Sequence, residues 1–334
     1  MNKVCARVFA ATTIAATLGV LTACAPATPN ANTLVIYSGR EEEIVEPIIQ
    51  LFEEESGVNV DVRYGDSAEL AAQLSEEGPA SKADIFFSQD AGALGAIESE
   101  GLFLELPAAV TERVAPEYRS ANNLWVGVTG RARVFVYNPE LVTELPMSVL
   151  ELAEPQWADR IAVAPTNASF QAFVTALRVI NGDDVAVSWL SGISANAQRF
   201  EKNSQILEAV EAGTVAAGLI NHYYWFQREK EVGAENMTSR LAAFTSGDAG
   251  NLINVAGVGL LSDNPHAKAF VSFLLRDDIQ GIFVTDIMEY PMVAGIDIPA
   301  GLTPLGDIPE PDFDLSNLND LKVTLELIRA SGMI

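Results

Sequence analysis

Basic side chains, histidine and cysteine are all scarce in this chain of 334 residues. Twenty Lys and Arg stand against 45 Asp and Glu, for a formal charge of −25. No basic stripe relieves that acidity, so phosphate backbones are repelled and nucleic acid is not expected as a partner. Acidity alone names no ligand, because strong negative charge often only keeps a secreted protein soluble. Two histidines, His222 and His266, and two cysteines, Cys5 and Cys24, are too few soft donors for zinc. Neither histidine lies in a recognisable triad context, and Gly-x-Ser-x-Gly and His-Glu-x-x-His motifs are absent. The expectation is a binding protein and not an enzyme.

Long apolar runs are missing too, apart from one at the start. Lys3 and Arg7 are followed by an apolar stretch from Val8 to Leu21, closed by Leu21-Thr22-Ala23-Cys24. That charged, apolar, small-residue order is the order of a secretory signal. The ending resembles a bacterial lipobox, which implies cleavage before Cys24 and lipid on its sulfur. The plainer alternative is an ordinary signal with a coincidental cysteine. Residues 1–23 are thus read as signal peptide and 24–32 as lipidated Cys24 with a flexible tether. The expected location is extracytoplasmic, anchored to the cell membrane as a lipoprotein. Loss of Lys3 and Arg7 takes the charge from −25 to −27. With Cys5 inside the signal, Cys24 alone remains, which leaves no internal disulfide, thiolate metal site or cysteine nucleophile.

After the tether, short β-type runs alternate with helical patterns. The strand candidates are Thr33–Tyr37, Val58–Arg63, Asp84–Phe87, Leu124–Val128, Val134–Tyr137, Ile161–Ala164 and Val215–Ile220. Apolar residues recur at helical spacing in Glu42–Ser56, Ser67–Glu77 and Phe170–Ile180, with Gly57 and Asn181-Gly182 as stops. This alternation predicts βαβ units and an α/β fold with mainly parallel sheets. A chain of ~300 residues is expected to form two lobes. Residues 295–311 are rich in Pro and Gly and predicted irregular, and a last helix is predicted from Asn317 to about Ala330.

Ligands of open α/β sheets bind beyond the carboxyl ends of strands. Four such ends here carry polar groups: Ser38-Gly39-Arg40-Glu41, Ser88-Gln89-Asp90, Pro165-Thr166-Asn167-Ala168-Ser169 and Asn221-His222-Tyr223-Tyr224. Tyr223 and Tyr224 in a first helical turn diverge by ~100°, so two long arms can meet on one ion. A phenol, with pKa ~10 in water, loses its proton to a highly charged hard cation. The alternative is two rings packing a core or stacking on an organic ligand. The Thr166–Ser169 loop opens a helix, where free N–H groups suit a small anion. Simple capping is the plainer explanation there. Arg40 offers a fork for an oxyanion, or a surface pair with Glu41, Glu42 or Glu43. Arg131 and Arg133 could act like Arg40, but a strand edge studded with charges is the plainer explanation and is the one adopted for Arg133. Fe³⁺ with two phenolates retains one positive charge, which Glu41, Asp90 or the anion neutralises.

Taken in order, Tyr37-Ser38-Gly39-Arg40, Ala83 to Asp90, Gly130-Arg131-Ala132-Arg133-Val134, Pro165 to Phe170, Asn221 to Trp225 and Glu289-Tyr290-Pro291 resemble the bacterial ferric ion-binding proteins. These feed iron ABC importers, and the likeness runs from about Leu34 to the last helix. The resemblance implies a two-lobed, type II periplasmic-binding-protein fold that closes about crossing strands. It implies residues 33–130 and 255–305 for one lobe, and 131–254 and 306–334 for the other. Tyr223 and Tyr224 match the family's iron-binding tyrosines. Asn167, Ala168 and Ser169 match its anion loop, Asn203 and Asn221 its anion-assisting asparagines, and Arg40 a carbonate-holding arginine. Glu41 stands where some members have a histidine ligand, Gln89 (beside Asp90) where they have glutamate, and Phe170 where others have tyrosine. The implied ligands are Fe(III) and a synergistic anion, carbonate or phosphate. The implied partners are an ABC permease and its ATPase, with membrane lipid reached through Cys24 and the chain itself a monomer. The competing expectation is the same fold serving a small organic anion or polyamine-like solute.

Overall fold

The computed structural model describes residues 32–334, so the signal, Cys24 and most of the tether lie outside the described residues. The first half of the chain folds as β1 (Thr33–Ser38), α1 (Glu42–Ser56), β2 (Asn59–Tyr64), α2 (Ser67–Glu77), β3 (Ile85–Ser88), α3 (Ala91–Ser99), α4 (Ala108–Thr111) and β4 (Trp125–Tyr137). Next come β5 (Ile161–Val163), α5 (Ala168–Asn181), α6 (Asp183–Asn196), β6 (Ala197–Arg199), α7 (Asn203–Glu211), β7 (Ala217–Asn221) and α8 (His222–Val232). The chain finishes with β8 (Arg240–Ala242), β9 (Ile253–Leu260), α9 (Pro265–Leu274), α10 (Asp277–Ile282), β10 (Tyr290–Pro291) and α11 (Leu321–Ala330).

The strand order is β2-β1-β3-β9-β4-β7-β5-β6, with β8 and β10 also pairing β4. β1, β2 and β3 are parallel to one another, as are β5, β6 and β7. Every pairing made by β4 or β9 is antiparallel. Two parallel wings are therefore joined through two long strands, the two-lobed α/β arrangement that the resemblance implies. The antiparallel centre is its signature, because the chain must run out to the second wing on one strand and return on another.

Helices cover the wings by burying one face. Val45, Ile48, Ile49 and Phe52 form the buried stripe of α1, and Phe52 meets Phe270 and Phe273 of α9 at ring distances of 5.0 and 5.2 Å. In the other wing, Phe173 of α5 meets Trp189 of α6 edge-on at 5.4 Å. Such aromatic pairs contribute beyond the area they bury.

Three expectations change. The runs at Leu124–Val128 and Val134–Tyr137 are one continuous strand, β4, whose pairing register shifts between Gly127 and Thr129. β9 escapes the pattern because Gly257 and Gly259 dilute its apolar run. Both are demanded by close packing, since a Cβ at Gly257 would lie 2.7 Å from the Val126 carbonyl oxygen. The last helix is split: a short 3-10 turn, Leu315–Asn319, precedes α11, with Asp320 between them.

That turn lies against α3, where a Cβ at Gly92 would be 2.6 Å from Leu318 O and one at Gly95 2.7 Å from Ser316 O. Alanine favours helix by ~1 kcal/mol over glycine, but here it would have to push backbone aside. Gly95→Ala is expected to destabilise by about 1–3 kcal/mol in urea unfolding. Gly281→Ala in α10, with nothing within 4 Å of its Cβ, is expected to stabilise by about 0.4–1 kcal/mol.

Candidate functional site

The two wings exchange partners along β4. Trp125 to Ala132 pair with β9, and Arg133 to Tyr137 pair with β7. Arg131 and Arg133 are two apart, so their side chains leave the same face of the strand. Asn254 is the register partner of Arg131 and Asn221 that of Arg133. A cavity of about 70 Å³ lies at this changeover, lined by residues that include both arginines, both asparagines, Tyr223, Tyr224 and Glu41. A larger groove of about 710 Å³ adjoins it, sharing Glu41, Gln89, Asp90, Asn167 and Ala168.

The tyrosines reach the cavity because a fully buried strand, β7, passes straight into α8. His222, 1% exposed, anchors that junction: its Nδ1 accepts the Ala132 N–H at 3.1 Å. Burial lowers its pKa to about 4, so the ring is neutral and free to accept. The Tyr290 ring packs on it at 4.4 Å, tilted by 30°. With His222 fixed, Tyr223 and Tyr224 occupy the first turn with ring centroids 4.3 Å apart and planes 30° from parallel. Their side chains converge despite the helical divergence of their Cα positions. Burial, and then the neighbouring Tyr224, push the Tyr223 phenol well above its ordinary value.

The α5 loop meets the same cavity. Asn167 caps the helix, its Oδ1 accepting Ser169 N–H at 3.0 Å and Ser169 Oγ–H at 2.5 Å. Asn203 Nδ2 donates to Asn167 Oδ1 and Ser169 Oγ, each at 3.3 Å. Capping and cavity lining are thus combined in one loop. Ala168 and Ser169 line the small cavity, whereas Thr166 is exposed and borders only the adjoining groove.

On the opposite side, Glu41 is exposed at the start of α1 and borders both cavity and groove. Asp90 caps α3, accepting Ala93 N–H at 3.0 Å, and burial raises its pKa. Arg40 borders the groove alone. Its guanidinium donates to both carboxylate oxygens of Glu289, at 3.1 and 3.0 Å, with both residues nearly inaccessible. Burial opposes ionisation of Glu289, but Arg40, Arg131 and Thr129 outweigh it and hold the carboxyl below its usual range. Arg131 donates to the Gln89 carbonyl.

Arg133 corrects the reading of it as a strand-edge charge. It is 3% exposed, and its Nη1 donates to Ser169 Oγ at 3.2 Å and, more distantly, to Asn221 Oδ1 at 3.5 Å. Asn254 carries no signal in the sequence, whereas the i, i+2 spacing of Arg131 and Arg133 marks a shared face.

His222 makes a measurable contribution. Its folded pKa is lowered, so below its ordinary value of about 6.5 the unfolded chain binds a proton that the folded one refuses. Stability is lost as pH falls from there towards about 4. Going from pH 7.5 to 5.5, the wild type is expected to lose about 1 kcal/mol more than His222→Gln in urea titrations. Parallel losses in the two proteins would contradict a buried neutral imidazole.

Residues 34–286 match the model of a family described as bacterial extracellular solute-binding protein. The chain is 34% identical over 307 residues to the Fe(3+)-binding periplasmic protein of Serratia marcescens, covering 90% of each. It is 31% identical over 314 residues to a major ferric iron-binding protein of Neisseria meningitidis, covering 92% of this chain and 95% of that one. Among solved structures, iron-bound HitA from Pseudomonas aeruginosa superposes with a TM-score of 0.83 at 32% identity, covering 90% of this chain and 99% of HitA.

Proposed function

Since the chain belongs to the bacterial extracellular solute-binding protein family, we propose that it captures Fe(III) outside the cytoplasm and hands it to an ABC permease driven by its ATPase. The observation that carries this reading is the tandem phenol, with Tyr223 and Tyr224 side by side on the wall of a small polar cavity. The ferric-binding names and iron-bound structure among its relatives support the same cargo. The role is binding and release, without turnover.

In this account Fe(III) lands on the two phenols, which become phenolates as their protons leave. Two phenolate charges reduce 3+ to 1+. Glu41 and Asp90 are the carboxylates on the facing side that complete the neutralisation. A small synergistic anion, carbonate or phosphate, occupies the part of the cavity beside Asn167, Ala168, Ser169, Asn203 and Asn221. The lobes, residues 33–130 with 255–305 and 131–254 with 306–334, close about β4 and β9. Lipid on Cys24 would hold the monomeric receptor beside its permease.

Phenolate–Fe(III) complexes absorb visible light, so ferric-loaded protein is expected to be coloured. Tyr223→Phe with Tyr224→Phe is expected to abolish the colour and to lower ferric affinity by orders of magnitude, read by competition with a chelator. Wild-type affinity in that double variant refutes the proposal. Each phenol that ionises releases one proton, so affinity is expected to fall with acidification by about tenfold per pH unit for each proton released. A colourless protein indifferent to iron would instead favour an organic solute in the adjoining groove.

A further inference from the structure

The Glu289-Tyr290-Pro291 motif follows a turn of uncommon geometry. α10 runs directly into a π-helical turn, Phe283–Ile287, which closes at Met288 in the left-handed region, with φ 66°. π turns are rare, and a non-glycine residue is disfavoured at such a φ, so the turn needs support from outside itself. The last carbonyls of a helix have no partner within it, and here two of them are taken by another helix. Gln227 Nε2 donates to Ile287 O and Lys230 Nζ to Thr285 O, each at 3.0 Å. A lysine suits that place, because the carboxyl end of a helix carries partial negative charge. Both donors belong to α8, the helix that bears Tyr223 and Tyr224.

α8 gains from such support. It has 11 residues, of which only His222 and Phe226 are buried, and a helix so short is marginal by itself. Trp225 ties it to Ser239 at 3.0 Å. Gln227 lies four residues on from Tyr223 and Lys230 seven, so all three share one stripe of the helix. The turn therefore grips the stripe that carries a phenol. The same segment reaches the site twice more. Glu289 holds Arg40 through both carboxylate oxygens and accepts from Thr129 of β4, and the Tyr290 ring packs on His222. Along β4 the neighbours come in order: β10 at Thr129 and Gly130, His222 at the Ala132 N–H, then β7 from Arg133. The turn leads into one side of the changeover and α8 springs from the other.

We propose that residues 285–290 form a brace that holds α8 across the changeover, with Gln227 and Lys230 as positioning residues for Tyr223 and Tyr224. Two phenol oxygens that share one ion must each be placed to within about 0.5 Å, and the thinly buried α8 reaches that precision through the turn. The inference rests on the reading of the two tyrosines as iron ligands and adds what fixes their helix. Without the brace both ligands are still present, but α8 moves, so iron leaves sooner and the phenolates meet it in altered geometry.

The test compares the full chain with the double variant Gln227→Met, Lys230→Met, which removes both donors and keeps apolar bulk at half-buried and exposed positions. The ferric-loaded variant is expected to pass iron to a competing chelator about tenfold faster, the scale set by one or two lost hydrogen bonds. Its visible absorption band is expected to shift. Lys230→Arg, which keeps a donor, should behave as wild type. So should Arg228→Met, on the same helix but paired with Glu231 instead of the turn. In iron-free protein, amide hydrogen exchange along α8 is expected to quicken in the double variant while the global Tm stays nearly unchanged. Wild-type exchange along α8 in that variant overturns the brace. Faster exchange with a wild-type release rate and band overturns the positioning role. A wild type that takes up no iron faults the iron reading instead, and exchange along α8 then decides whether the turn is a brace.

Discussion

The hydrogen bond from Ala132 N–H to His222 Nδ1 joins the strand that crosses between the wings to the first turn of the helix bearing the tandem tyrosines. Its geometry requires a neutral, buried imidazole, and burial supplies one. Because Ala132 lies between Arg131 and Arg133, the bond also sets both guanidiniums against Tyr223 and Tyr224. A β4 interrupted at the changeover, as the two separate apolar runs suggested, would leave the cations and phenols on independent elements. The continuous strand makes them one constellation, with no spare loop to absorb an error in placement.

Charge accounts for the rest of the cleft. The cavity holds two phenols, of which burial pushes that of Tyr223 above its ordinary pKa, and a guanidinium, Arg133, with no carboxylate paired to it among the described residues. The uncompensated guanidinium is costly for a folded protein, whereas a phenol is neutral at pH 7 in folded and unfolded chains alike. In the proposed account, a trivalent ion draws negative charge out of groups that otherwise carry none. Glu289 has the complementary task of absorbing Arg40, so that the positive charge facing the cavity is concentrated on β4. Cation and anion, in that account, attract each other inside the protein, where electrostatic attraction is stronger than in water.

Much of this arrangement was legible in the residues alone. The helices Glu42–Ser56 and Ser67–Glu77 were bounded by their periodicity and caps, and the four polar strand ends pointed to the cleft. Tyr223 and Tyr224 stood out as adjacent phenols at a helix start beside three other polar strand ends, although two rings packing a core would give the same pair. The errors have physical causes. β9 was hidden because Gly257 and Gly259 answer to neighbouring backbone and to Phe103, contacts that local pattern does not contain. Arg133 looked like a surface charge because burial of an arginine follows from tertiary packing against Phe170 and Phe173. The pairing of Arg40 with Glu289 was not legible because Glu289 is 249 residues away in sequence.

Phenolate ligation is the claim on which the functional account stands, and resonance Raman spectroscopy of the ferric-loaded protein addresses it directly. Excitation within the visible band should enhance ring vibrations of iron-bound tyrosinate. A loaded protein whose iron is firmly held but whose spectrum lacks tyrosinate modes would contradict the account.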